Sequence, residues 1–203
     1  MRKVSLLVTA LIFAITASLY AEGNKAKDTY KVDAEKSTVK WTAKSAKGGH
    51  FGKVQAASGN FQFDGKSITA GTIVINMTSI SVDDIEDPGR KERLANHLKN
   101  DDFFSADKFP ESKLEITSSK PGKKAGELEV TGNLTIKGIT NPITFPVTLK
   151  SSGKNLEAEG SMVVDRIQYG IKFRSKSVLD PSALADRLIY DEFTLDFKVS
   201  ASK

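Results

Sequence analysis

The sequence predicts a mainly-β protein with a single folded domain, a barrel or sandwich of about eight antiparallel strands with one or two short helices. Three observations carry that expectation. Apolar and polar residues alternate with a period of two in one segment after another, turn-forming residues separate the segments, and only a short stretch has a helical period. A strand that alternates in this way buries one face and wets the other. A sheet built from such strands must curl or fold over to bury its apolar face.

The first residues stand apart from this pattern. Arg2 and Lys3 precede an uncharged run from Val4 to Leu19, small residues at Ala17, Ser18 and Ala21 follow, and Glu22-Gly23-Asn24-Lys25 is polar. This order describes a secretory signal spanning residues 1–21, cut after Ala21. An uncleaved anchor is the alternative, although a spanning helix needs about 20 apolar residues and this run is shorter. Residues 22–29 read as a flexible N-terminal segment and 30–203 as the folded domain. Without the signal, 182 of the 203 residues remain, enough for one domain with a real core. The chain has no cysteine, so it holds no disulfide and no lipid-modified cysteine. At this length an exported domain does not depend on disulfides.

The strands can be taken in order. Val39, Trp41 and Ala43 alternate with Lys40 and Thr42, and after Gly48-Gly49 a second segment runs from His50 to Phe63. Asp64-Gly65 is a tight-turn signal, and Ile73, Ile75 and Met77 then hold one parity. These three segments read as a meander. The pattern breaks at Asp87-Pro88, a cap followed by a first-turn proline. A helix from Pro88 to Lys99 would place Leu94 and Leu98 on one face. Phe103, Phe104 and Phe109 follow it.

Alternation resumes with Leu114 and Ile116, and Pro121-Gly122-Lys123-Lys124 reads as a turn before Leu128 and Val130. In TGNLTIKGITNPITFPVTL, Thr131 to Leu149, two alternating arms flank a Gly-Ile-Thr-Asn-Pro break. Leu156, Ala158, Gly160, Met162 and Val164 share one parity in the next segment. A short helical turn is expected near 181–188, before Phe193, Leu195, Phe197 and Val199 close the series. Pro146 cannot donate to a ladder and calls for an edge or a bulge. Gly59, Gly71, Gly132 and Gly160, each inside a strand pattern, call for bulges or bends of the kind a curled sheet needs.

Candidate chemistry is sparse. The mature chain would carry 28 basic and 25 acidic residues, scattered without a basic stripe, so no nucleic-acid partner is expected. A zinc site would need both histidines, His50 and His97, with Asp101 or Asp102, and neither histidine sits in a ligand-spaced pair. The acidic run Asp83, Asp84, Glu86, Asp87 lacks the spacing of a calcium loop. No serine elbow and no phosphate-binding glycine loop occurs. No metal, cofactor or catalytic residue is therefore assigned. An enclosed apolar interior is what remains, and small barrels either fill it with side chains or keep room for one ligand.

Particular residues then carry a resemblance. They are Trp41, Gly49-His50-Phe51-Gly52, Ser58-Gly59-Asn60-Phe61 and Asn76-Met77-Thr78-Ser79-Ile80. His97-Leu98-Lys99-Asn100-Asp101-Asp102-Phe103-Phe104 and Gly132-Asn133-Leu134-Thr135-Ile136-Lys137-Gly138-Ile139-Thr140 follow, then Asp165-Arg166, Tyr169-Gly170-Ile171 and Asp191-Glu192-Phe193. In this order and spacing the chain resembles the YceI-like family. The resemblance implies a single antiparallel, lipocalin-like β-barrel whose interior takes a polyisoprenoid-type lipid or similar long apolar ligand. It also implies a bacterial periplasmic or secreted setting and a homodimer, and it supplies no catalytic residue.

On that basis the inward-parity residues are the candidate ligand-binding set: Trp41, Phe61, Phe63, Ile73, Ile75, Met77, Leu114, Ile116, Leu134, Ile136, Phe145, Val147, Met162, Val164, Phe193, Leu195 and Phe197. Phe103 and Phe104 join them by closing one end beside the helix. Arg166, among apolar neighbours, needs Asp165 or Asp191 as a partner if buried, either as a structural tie or as a contact to a lipid head group. Two rival readings stand beside lipid binding: a solidly packed barrel with an interaction or stress-protective role, and a lipid-acting enzyme using His50 and His97 in one cavity.

Overall fold

Eight strands hydrogen-bond in chain order and close on themselves in the computed structural model, which describes residues 27–180 and 185–203. They are β1 (Asp28–Ser45), β2 (Gly48–Phe63), β3 (Ile68–Asn76), β4 (Glu111–Pro121), β5 (Glu127–Ile136), β6 (Ile139–Ser152), β7 (Asn155–Asp165) and β8 (Ile189–Ser202). Every neighbouring pair is antiparallel, and β8 returns to β1. Alternation alone left barrel and sandwich open, the family resemblance implied the barrel, and the β8–β1 ladder bears that out. The expected signal at 1–21 lies outside the described residues.

The single α-helix among the described residues, α1 (Pro88–Lys99), has the expected bounds. Asp87 caps it by accepting from the Arg90 backbone N–H at 2.7 Å, with Pro88 in the first turn. Of the helical turn expected near 181–188, residues Ala185–Arg187 form a 3-10 turn, and 181–184 lie outside the described residues.

Several local expectations change. The break between β5 and β6 is only Lys137-Gly138, with φ of 51° and 73°, and Ile139–Pro142 already belongs to β6. Two positive φ values suit a tight hairpin turn, and glycine meets the second at no cost. Pro146 finds its edge in an unexpected place. The β6–β7 ladder begins only at Val147↔Gly160, so β6 has no β7 neighbour from Ile139 to Pro146.

Gly160 lies in uninterrupted register on both sides, whereas Gly132 pairs with Ile116 directly beside the β4 bulge, as expected. Both glycines also serve close approach. A Cβ on Gly132 would stand 2.5 Å from the Glu115 carbonyl oxygen, and one on Gly160 would collide with the Pro146 carbonyl and sit 2.6 Å from the Phe197 ring. Register shifts fall in β1 between Lys31 and Val39, in β2 between Ala56 and Ser58 just before Gly59, in β3 between Ile68 and Ala70 next to Gly71, and in β4 between Ile116 and Ser118 opposite Gly132.

The two ends of the barrel differ. At one end lie the short turns joining β2 to β3, β4 to β5 and β6 to β7, and the interior there is packed with strand side chains. Tyr30 stacks on Phe61 at 5.8 Å, and Val32, Ile68, Leu128, Leu156 and Ala201 are all buried. At the other end two long connections cross the opening, residues 77–110 and the described residues of the link from β7 to β8, 166–180 and 185–188.

Candidate functional site

The first connection begins as a strap. Ser81 N–H donates to the Lys53 carbonyl at 2.9 Å and Asp83 N–H to the Phe51 carbonyl at 2.8 Å, so 79–84 runs along the part of β2 that β3 does not reach. Gly52 makes this possible, because any Cβ there would collide with the Ser81 carbonyl. That carbonyl accepts the Trp41 indole N–H at 3.0 Å, which fixes the ring on the inner wall. Ile80 and Val82, within the strap itself, are buried.

The second connection fills the gap between β6 and β7. The 3-10 turn Arg166–Tyr169 is capped by Asp165, whose carboxylate accepts from Ile167 N–H at 2.9 Å, and Asn141 Nδ2 of β6 donates to the Gln168 carbonyl at 3.1 Å. The two connections meet over the opening. The His97 ring stands edge-on to Phe103 and to Phe173, each at 4.9 Å, while its Nε2 shares a 2.9 Å hydrogen bond with Asp102.

Between this cover and the packed end lies a cavity of about 180 Å³, measured as the space open to the centre of a water molecule. One water needs only about 10–15 Å³ on that measure, so the space is large enough for a ligand segment. Its wall follows from strand register. Ile73, Leu114 and Leu134 face each other across β3, β4 and β5, while Met162, Leu195 and Trp41 do so across β7, β8 and β1. Gly160 leaves room for the Phe197 ring, which meets Phe145 edge-on at 5.7 Å.

Seventeen of the nineteen candidate residues line this cavity, and Phe63 and Val164 do not. Phe63 sits at the packed end, edge-on to Tyr30 at 6.4 Å. Val164 is buried in the core cluster that also holds Tyr169 and Ile171, and its register partner Phe193 supplies the wall at that level. Phe103 and Phe104 line the covered end, with Phe104 edge-on to Phe193 at 6.1 Å. Sequence parity also offered Val39, Val130, Ala158 and Val199, which line the wall but were not selected, while Val54, of opposite parity to Phe61, reaches the wall through the β2 bulge. Leu98, Ile171, Ile189 and Tyr190 line it from α1, the second connection and the start of β8, where no strand alternation marks them.

Arg166 is 4% exposed and borders the cavity, yet four of its five N–H donors are engaged by the protein itself. Nε donates to the Tyr190 carbonyl (3.1 Å), Nη1 to the Ile171 carbonyl (2.8 Å) and Nη2 to the Ile189 carbonyl (3.0 Å). Nη2 also pairs with Asp191 at 3.3 Å. Burial pulls the guanidinium pKa below its ordinary value, opposed by Asp191 and Asp165. Burial likewise works to raise the Asp191 carboxyl, but hydrogen bonds from Ser175 and Ser177 with the Arg166 charge outweigh it and hold it below the usual range. Of the two partners foreseen for Arg166, Asp191 is the direct one, and Asp165 caps the turn.

Neither histidine lines the cavity. His50 Nδ1 shares a 2.7 Å hydrogen bond with Asp84 on the outer surface, apart from the His97–Asp102 pair. The enzymatic reading required both rings in one cavity, and this geometry does not supply that. Among the described residues no group of three or more potential ligands is placed to hold a metal.

Fold and cavity together define a closed eight-stranded antiparallel barrel with an apolar chamber covered at one end. The YceI-like domain matches residues 30–201, and the chain belongs to that family. Protein YceI of Salmonella arizonae is 29% identical over 161 residues, covering 74% of this chain and 81% of that protein. Among solved structures, Burkholderia cenocepacia BcnA superposes with a TM-score of 0.59 at 21% identity, covering 84% of this chain and 99% of that one. A polyisoprenoid binding domain from Saccharophagus degradans gives 0.58 at 13% identity, covering 85% and 97%. These two likenesses bear on the fold.

Proposed function

We propose that this protein is an exported lipid-binding protein that holds the apolar part of a polyisoprenoid-type amphipathic lipid in the covered chamber. The observation that carries the proposal is the chamber itself, a space of about 180 Å³ walled almost wholly by hydrocarbon side chains. Burying apolar chain returns about 0.8 kcal/mol per CH₂, so ten such groups give about 8 kcal/mol before the cost of ordering the chain. No specific polar contact is needed. Family membership supports the reading, as does the fold shared with a polyisoprenoid binding domain.

The seventeen wall residues are the proposed ligand contacts, and the exposed end of the lipid lies under the two connections. Export through residues 1–21 to the periplasm or beyond, and the homodimer that the family resemblance implies, belong to the same proposal. The intact mass of the exported chain reads the first, and light scattering reads the second.

Trp41, the one tryptophan in the chain, stands in the wall and serves as the reporter. Titration with a prenyl lipid is expected to shift its emission in a saturable manner, and native mass spectrometry of protein from a bacterial host is expected to retain a lipid adduct. Unliganded protein throughout, with no emission change on titration, overturns the proposal.

A further inference from the structure

The described large apolar side chains that stand exposed are Phe51, Ile139, Val163, Val178, Leu179 and Tyr190. All lie toward the covered end of the barrel, and the packed end contributes none of them. Exposed apolar clusters mark interaction surfaces more often than scattered single residues do. Three of the six form one corner. Ser177 Oγ donates to Asp191 at 2.6 Å and Ile189 N–H to the Arg174 carbonyl at 3.0 Å, which holds 174–179 against the start of β8. Val178 and Leu179 therefore belong to the segment tied to the start of β8, where Tyr190 is exposed and also part of the cavity wall.

The charge around the cover is unevenly divided. On the corner side, Lys172, Arg174, Lys176 and Arg187 are exposed, with Lys44 on the neighbouring hairpin, beside the exposed acids Asp180, Asp186 and Glu192. Asp186 is engaged with Lys47, and Asp191 with the buried Arg166. The first connection, by contrast, exposes seven acidic side chains between Asp83 and Asp107 against four basic ones, Arg90, Lys91, Arg93 and Lys108.

We infer that the Val178–Leu179–Tyr190 corner is a docking surface for an anionic lipid bilayer. The inference rests on the proposed lipid cargo. A long-chain lipid is almost absent from water as free monomer, so a protein that holds one must load it at a lipid surface. Apolar side chains entering the interface, ringed by cations that meet anionic head groups, are the physical means of doing so. The acidic first connection faces away from the bilayer in this orientation, and Tyr190 carries the contact directly into the chamber.

Flotation of the purified protein with vesicles tests this. Vesicles of phosphatidylcholine with phosphatidylglycerol are expected to carry at least tenfold more protein than phosphatidylcholine alone, and high salt should reduce the difference. The doubly substituted V178S/L179S and K172E/K176E variants are each expected to lose at least tenfold in vesicle binding. Their uptake of a short-chain prenyl alcohol from solution, followed at Trp41, should stay unchanged, since none of the four positions lines the chamber. Absence of vesicle binding by the unaltered protein overturns the inference, as does equal binding to both vesicle types or undiminished binding by both variants. Failure of the unaltered protein to take up the prenyl alcohol overturns the lipid-binding reading instead, and flotation reports on docking independently of it.

Discussion

The end of the barrel at the β2–β3, β4–β5 and β6–β7 turns is closed by the strands themselves, through Tyr30, Phe61, Ile68, Leu128 and Leu156. The opposite end is closed by two connections that meet at His97, Phe103 and Phe173. In the first case the residues sit in strand ladders, with Phe61, Leu128 and Leu156 paired on both sides. In the second, α1 has no fully buried residue, and its cover depends on a few ring contacts and capping hydrogen bonds. Close packing transmits strain and resists change, whereas sparsely packed elements open locally at low cost. One fold thus combines a tightly packed floor with a more sparsely packed cover.

The largest expected effect comes from cutting the tie between the second connection and β8. Arg166→Met strands three main-chain carbonyls and the Asp191 carboxylate, and removing one partner of a buried ion pair costs about 3–5 kcal/mol. Urea denaturation measures it, and a loss under about 1 kcal/mol would show that water replaces the guanidinium there. Leu156→Ala comes next. Leu156 is 1% exposed at the packed end, and such truncations cost about 2–5 kcal/mol. The same change at half-buried Leu98, over the chamber, is expected to cost about 1 kcal/mol, since less surface is buried there. Equal losses at the two leucines would abolish the contrast between floor and cover.

Sequence reading reached the strands well because alternation reports which face of a strand is buried, and that is a local property. Depth along the barrel axis is not local. Phe63 has inward parity, yet it stands at the floor, where there is no cavity to line. Tyr190, Ile171 and Leu98 line the chamber from outside the strand interiors, and only the path of the two connections brings them there. The limits of α1 were readable because Asp87 and Pro88 act within one turn. Closure by the strap at 79–84 was not readable, because it depends on Gly52 yielding space to a carbonyl 29 residues away in sequence. The partner of Arg166 was foreseen as an acid, while the three carbonyls that take most of its donors carry no sequence signal.

A smaller effect is expected from pH. The Asp191 carboxyl is held below its usual range, so its folded pKa lies under the unfolded value of about 3.9. The unfolded state therefore binds the proton more readily, and the stability from this group is fully present above about pH 4. It is lost as pH falls through the lower folded value. Denaturation midpoints of the unaltered protein should fall below about pH 4, and Asp191→Asn should flatten that part of the curve. An unchanged slope in the variant would mean that Asp191 contributes nothing to acid sensitivity.

Asp87→Ala should give the smallest global change and the sharpest local one. Asp87 satisfies the Arg90 N–H at 2.7 Å, and losing such a cap costs about 1 kcal/mol of helix stability. Because α1 buries no residue fully, it can fray without unfolding the barrel. The cost should therefore appear in hydrogen exchange as about fivefold faster opening of the α1 amides, since 1.4 kcal/mol corresponds to a factor of ten. Amides of β5 and β8 should keep their protection. Faster exchange throughout the barrel would instead make α1 part of the cooperative core, and the cover would then be as rigid as the floor.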